Sequence, residues 1–160
     1  MAIEIKPPND VPKDTNKPIV FLAGSIEMGT AEDWQHRISS HFSNHDIILL
    51  NPRREHWDSS WEQSIDNPLF KQQVDWELDG LEMANLILMF FAANTKSPIS
   101  LLELGLCANR NNMIVCCPKA FWRSGNVQII CHRFAIPLVE TIDDLIIQTE
   151  QWVKAQQNPK

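Results

Sequence analysis

A chain of 160 residues makes one domain and can enclose a sizeable core, and an apolar share of 44% is a globular value. The formal charge of −6 repels phosphate backbones, and the longest apolar run, Leu86 to Ala93, is too short to cross a bilayer. Nucleic-acid polymers and membranes are therefore not expected partners. The opening Met1-Ala-Ile-Glu-Ile-Lys-Pro-Pro carries no secretory apolar segment, so the expected location is cytoplasmic.

In chain order, residues 1–16 are polar, hold Pro7, Pro8 and Pro12, and read as a mobile tail before a single domain over 17–156. Ile19 to Ala23 reads as a buried strand, followed by Gly24-Ser25. A helix is predicted near 31–43, where Trp34, Ile38 and Phe42 fall four apart. Ile47 to Leu50 is a second strand, and a loop rich in Trp and Pro runs from Asn51 to Pro68. A helix near 69–84 is predicted to carry Val74, Leu78 and Leu81 on one face. Leu86 to Phe91 is a third strand, Ile99 to Asn109 a helix, and Met113 to Cys117 a fourth strand. A short helix over 126–132, a short strand over 136–139 and a helix near 142–155 complete the chain.

Continuous apolar strands alternating with helices predict a parallel sheet covered on both faces. With right-handed crossovers this is a doubly wound α/β domain, flavodoxin- or Rossmann-like, with five parallel strands. Ligands of such sheets bind at the carboxyl ends of the strands, here the loops 24–30, 51–68, 92–98 and 118–126.

Glu103 is the first candidate for chemistry. It sits in Ser97-Pro-Ile-Ser-Leu-Leu-Glu-Leu-Gly, with Leu101, Leu102, Leu104 and Leu106 around it and Ile99 and Leu106 on its own side. A carboxylate among leucines is costly unless it is paired or useful. Ser97 is the predicted N-cap and Pro98 the first helical residue, while Gly105 reads as a close-packing position. Glu77, in Asp75-Trp-Glu-Leu-Asp79, would supply a second carboxylate for acid–base work. Gly24 allows close backbone approach to a ligand, and Ser25 offers a hydroxyl for a sugar or phosphate. In Asn51-Pro-Arg53-Arg54-Glu-His-Trp57-Asp58, Trp57 suits stacking on a base and Arg53 a carbonyl or phosphate. The stretch Phe121-Trp-Arg-Ser-Gly-Asn126 is suited to edge a ligand or a neighbouring subunit. The four cysteines form no CxxC pair and the five histidines show no ligand spacing, so buried reduced thiols and no metal are expected.

These segments together resemble the nucleoside 2-deoxyribosyltransferase superfamily over roughly residues 18–140. The resemblance is closest to a branch of short members with Asn-Pro-Arg-Arg, Ser-Pro-Ile-Ser-Leu-Leu-Glu-Leu-Gly and Phe-Trp-Arg-x-Gly-Asn-Val segments. Phe21-Leu-Ala-Gly-Ser-Ile is also similar to the opening loop of a deoxynucleoside 5'-monophosphate N-glycosidase. The resemblance implies no metal and no organic cofactor. It implies that Glu103 attacks C1' of a (deoxy)nucleoside or nucleotide, giving a glycosyl-enzyme that passes to another base or to water. It places Glu77 at the acid handling the base proton. Phe21, Gly24, Ser25, Arg53, Trp57, Asp58 and Ser97 fall at substrate-binding positions, and Asn126 falls where relatives supply a neighbouring active site. A homodimer or larger homo-oligomer with shared sites is thereby implied. Phe21 stands where many relatives have Tyr, and Glu27 where the monophosphate hydrolase has Arg. Ser97 stands where the transferases have Asp and the phosphate hydrolase has Ser. Two other readings use the same residues: release of nicotinamide from NAD, and a nucleotide-binding module without turnover.

Overall fold

The computed structural model describes residues 1–26, 32–54 and 60–159. Among them the strands are β1 (Ile3–Ile5), β2 (Ile19–Gly24), β3 (Ile48–Leu50), β4 (Leu86–Phe90), β5 (Met113–Cys116) and β6 (Leu138–Val139). The helices are α1 (Trp34–His41), α2 (Pro68–Met83), α3 (Pro98–Cys107), α4 (Ser124–Arg133) and α5 (Ile142–Gln157), with a short 3-10 turn, Ala108–Arg110, after α3.

The six strands form one parallel sheet in the order β1-β3-β2-β4-β5-β6. Without β1 this is the flavodoxin-like order of a doubly wound sheet, as predicted. The sixth strand comes from the stretch read as a tail. Ile3, Glu4 and Ile5 pair with Ile48, Leu49 and Leu50 and extend the sheet by one edge strand.

Side-chain alternation along the strands builds a separate core on each face. Phe21, Ala23, Ile87, Met89 and Val115 face Trp76 and Leu81 of α2, Leu104 and Cys107 of α3, and Val127 and Cys131 of α4. Val20, Leu22, Leu88 and Ile114 face Trp34 and Ile38 of α1 and Leu145, Ile146 and Val153 of α5. All four cysteines are free and buried; burial pushes the Cys116 and Cys117 thiols up to about 12 and Cys131 up to about 11.

The inward face of α2 differs from the sequence reading. Gln73, Trp76, Gly80 and Leu81 are buried, whereas Leu78 is 42% exposed. The cause is Gly80. A Cβ there would lie 2.7 Å from Cε2 of Phe21, so the bare backbone lets α2 settle directly onto the Phe21 ring. The Trp76 ring stands 6.1 Å from that of Phe21, and its Nε1 donates to the Asn9 carbonyl at 2.8 Å. Asn67 opens α2 by accepting from the amides of Leu69 and Phe70 at 3.1 and 3.2 Å, with Pro68 at the first helical position. Replacing Asn67 with Ala is expected to cost about 1 kcal/mol, measurable as a lower urea midpoint.

Gly105 is also corrected. A Cβ there would meet nothing within 4 Å, so it serves no close packing within this chain.

Candidate active site

The direction of winding reverses between β2 and β4, and Gly24 and Phe90 pair in register at their carboxyl ends. Ser25 follows immediately. Its amide donates to the Phe90 carbonyl at 2.9 Å, and its hydroxyl accepts from the Ala92 amide at 3.0 Å. The same hydroxyl lies 2.6 Å from that of Ser97 and 3.1 Å from that of Thr95, and Thr95 and Ser97 are 2.7 Å apart. Ser25, Thr95 and Ser97 are all buried. The predicted Ser97 cap is not made. Ser97 has a left-handed backbone, φ 46°, and its side chain makes no cap bond. Its hydroxyl is instead spent on Ser25, 72 residues away in the chain, while Pro98 does open α3 as expected.

This hydroxyl knot fixes the entry to α3 and hence the position of Glu103. Helices α2 and α3 both pack over β2, which places them side by side. Glu77 of α2 lies close enough to Glu103 of α3 for its charge to act on it. Burial raises the Glu103 carboxyl to about 8, and repulsion from the Glu77 charge adds to the rise. The expected cause of that burial is corrected. Ile99, Leu102 and Leu106 are 57, 68 and 51% exposed, so these flanking apolar side chains do not cover Glu103, while Glu77 of α2 is near enough to act on it.

Glu77 is also raised by burial, but a hydrogen bond from Gln73 Nε2 to its Oε1, at 2.8 Å, opposes the rise. Among the described residues no group donates to the Glu103 carboxyl. Both glutamates are half-buried, and the one donor sits on Glu77, so the negative charge is favoured on Glu77 and the proton on Glu103.

The other predicted residues divide by position. Phe21 is wholly buried between Trp76 and Gly80 and presents no surface. Arg53, after β3, lies 3.6 Å from Asp33, which caps α1. Asn126 is exposed in the first turn of α4. Trp57, Asp58 and Glu27 lie outside the described residues. Trp122 joins two of the loops: its Nε1 donates to the Lys96 carbonyl at 2.9 Å, and Lys96 Nζ and Arg123 Cζ stand over its ring at 4.4 and 4.5 Å. Gln73 was not among the sequence candidates.

A cavity of about 540 Å³ opens between α1 and α5, on the other side of the sheet from the carboxyl pair. Its polar groups are paired within it, Arg37 with Asp143 and His41 with Glu150. No described helix is long and apolar enough to cross a membrane.

A doubly wound α/β sheet with two desolvated glutamates on neighbouring helices is a layout suited to a small-molecule site. Residues 17–121, well over half the chain and including both glutamates, match the family described as nucleoside 2-deoxyribosyltransferase like, and the chain belongs to that family. None of the curated proteins matches it.

Proposed function

We propose that this protein breaks the N-glycosidic bond of a nucleoside or nucleotide through the Glu103–Glu77 pair. The observation that carries this reading is the pair of neighbouring, desolvated carboxyls, both raised and one acting on the other through its charge. The proton passes from Glu103 to Glu77 when substrate is bound. The Glu103 carboxylate then attacks C1' and the C1'–N bond breaks. Its electron pair goes to the base, which takes the proton from Glu77. Water activated by Glu77, or an incoming base, releases the glycosyl ester and restores Glu103.

Gly24, Arg53, Trp57 and Asp58 bind the substrate in this reading, while the buried Ser25 and Ser97 shape the site through their hydroxyl knot and Phe21 by supporting Trp76 and α2. A second copy covers the exposed apolar face of Ile99, Leu102 and Leu106 and brings its Asn126 to the site; the exposure of these three side chains supports this. Sedimentation should then show an oligomer for the parent and a monomer for Leu102→Glu. A parent that sediments as a monomer at micromolar concentration removes the shared site.

The decisive assay incubates the protein with deoxynucleosides, ribonucleosides, their 5'-monophosphates and NAD, with and without an acceptor base. Base release without acceptor identifies a hydrolase, and exchange only with acceptor a transferase. Folded protein that releases no base from any of them contradicts the reading.

A further inference from the structure

We propose that Gln73 is the positioning residue of the carboxylate pair, fixing Glu77 so that its Oε2 alone takes and gives the proton. This rests on the glycosidic reading above and deepens it.

The geometry of Gln73 leaves little freedom. Its side chain is buried in α2, one turn before Glu77. Both hydrogens of Nε2 are used, one to Glu77 Oε1 at 2.8 Å and one to the Pro52 carbonyl at 3.1 Å. The reverse orientation of the amide would set Oε1 against two acceptor oxygens, so chemistry dictates which end faces the pair. The orientation also leaves Gln73 Oε1 buried with no hydrogen-bond partner. A buried acceptor without a donor is costly, and it is tolerated where the opposite end of the same amide is committed elsewhere.

The commitment has two ends. Pro52 belongs to the segment after β3, at the carboxyl edge of the sheet, so Gln73 ties that edge to α2. At Glu77 the bond occupies Oε1, which leaves Oε2 as the oxygen free to exchange a proton. It also favours the charged form of Glu77 over that of its neighbour, since a donor to a carboxylate stabilises the anion. The titratable group facing Glu77 across the gap is Glu103 of α3, which itself acts on Cys107 one turn further along α3. Without Gln73 the two glutamates would be near equivalents, both half-buried and both without a donor. Gln73 is what makes them unequal, and an acid–base pair requires that inequality.

The test uses Gln73→Met, which keeps the volume and removes the donor, and Gln73→Glu, which keeps the shape and replaces the donor nitrogen with an acceptor oxygen. The side-chain carboxyl carbons of 13C-labelled glutamate are titrated by NMR in the parent and both variants, beside thermal unfolding. With the fold intact, the Glu77 midpoint is expected to move to higher pH in both variants. In Gln73→Met the Glu103 midpoint is expected to move down, because a neutral Glu77 no longer repels it. The acid limb of the kcat/KM profile should shift upward with Glu77, and kcat should fall about tenfold or more with KM little changed. An unmoved Glu77 midpoint in a folded Gln73→Met overturns the assignment. If the parent releases no base from any substrate, the glycosidic reading falls, and the carboxyl titration alone then decides the role of Gln73.

Discussion

Glu103→Gln is expected to be more stable than the parent at alkaline pH while releasing no base. The stability effect follows from linkage. In the unfolded chain the Glu103 carboxyl has its ordinary value of 4.5, whereas burial and the Glu77 charge raise it to about 8 in the folded protein. Between those values the folded state holds a proton that the unfolded state has released. Unfolding therefore releases a proton, and stability falls as pH rises through this window. Below the lower value both states are protonated and Glu103 costs nothing through its charge. Above the upper value it is ionised in both and the full penalty of a half-buried, unpaired anion applies. Glutamine cannot ionise, so the advantage of the variant should be absent at pH 4, grow through neutrality and level off above pH 8. Its limit is a few kcal/mol, on the order of 1.4 kcal/mol for each pH unit separating the two values. Urea midpoints at pH 4, 7 and 9 would read this as a gap of roughly 1 M at pH 9 that closes at pH 4. A gap independent of pH contradicts the account. The same variant lacks the proposed nucleophile, so it separates the energetic cost of the site from its use.

The sheet was legible in the sequence for a simple reason. A strand buried on both faces must be apolar at every position, and Val20 to Ala23, Leu86 to Met89 and Met113 to Cys116 advertise that without reference to anything distant. Strand β1 advertises nothing. Ile3 and Ile5 flank a glutamate near two prolines, and only pairing with β3 makes three residues a strand. Glu103 was legible because an acid among leucines is chemically out of place. Its surroundings were not, because Leu102 and Leu106 turn outward and the neighbouring charge comes from Glu77 of α2. Gln73 was missed for the same reason as the true face of α2. A glutamine at that position reads as solvated until Gly80 is seen to rotate the helix onto Phe21. Its signal was the spacing Gln73, Trp76, Glu77, Gly80, a polar pair on the stripe that also carries the large aromatic.

Gly24→Ala should be the most damaging single-methyl change near the site. Gly24 has φ +135°, a conformation that side chains rarely adopt, and the added Cβ would lie 2.2 Å from the Phe90 carbonyl oxygen and 2.7 Å from the Phe90 amide nitrogen. Both contacts are with backbone in the neighbouring strand, so no rotamer change relieves them. Either β2 parts from β4 at its last pair or the chain around residue 24 is remade. Each route strains the Ser25–Phe90 bond and the Ser25 hydroxyl, on which Ala92, Thr95 and Ser97 converge. The loss is expected to reach roughly 3 kcal/mol or more, a large fraction of a domain's stability. Since Ser97 sets the entry to α3, the residue that remains folded should also show an altered Glu103 carboxyl titration. The same substitution at Gly105, where a Cβ meets nothing within 4 Å, should leave stability equal or higher. Thermal unfolding of the two variants side by side tests the argument. A Gly24→Ala protein as stable as Gly105→Ala would mean that the β2–β4 junction does not hold the site together.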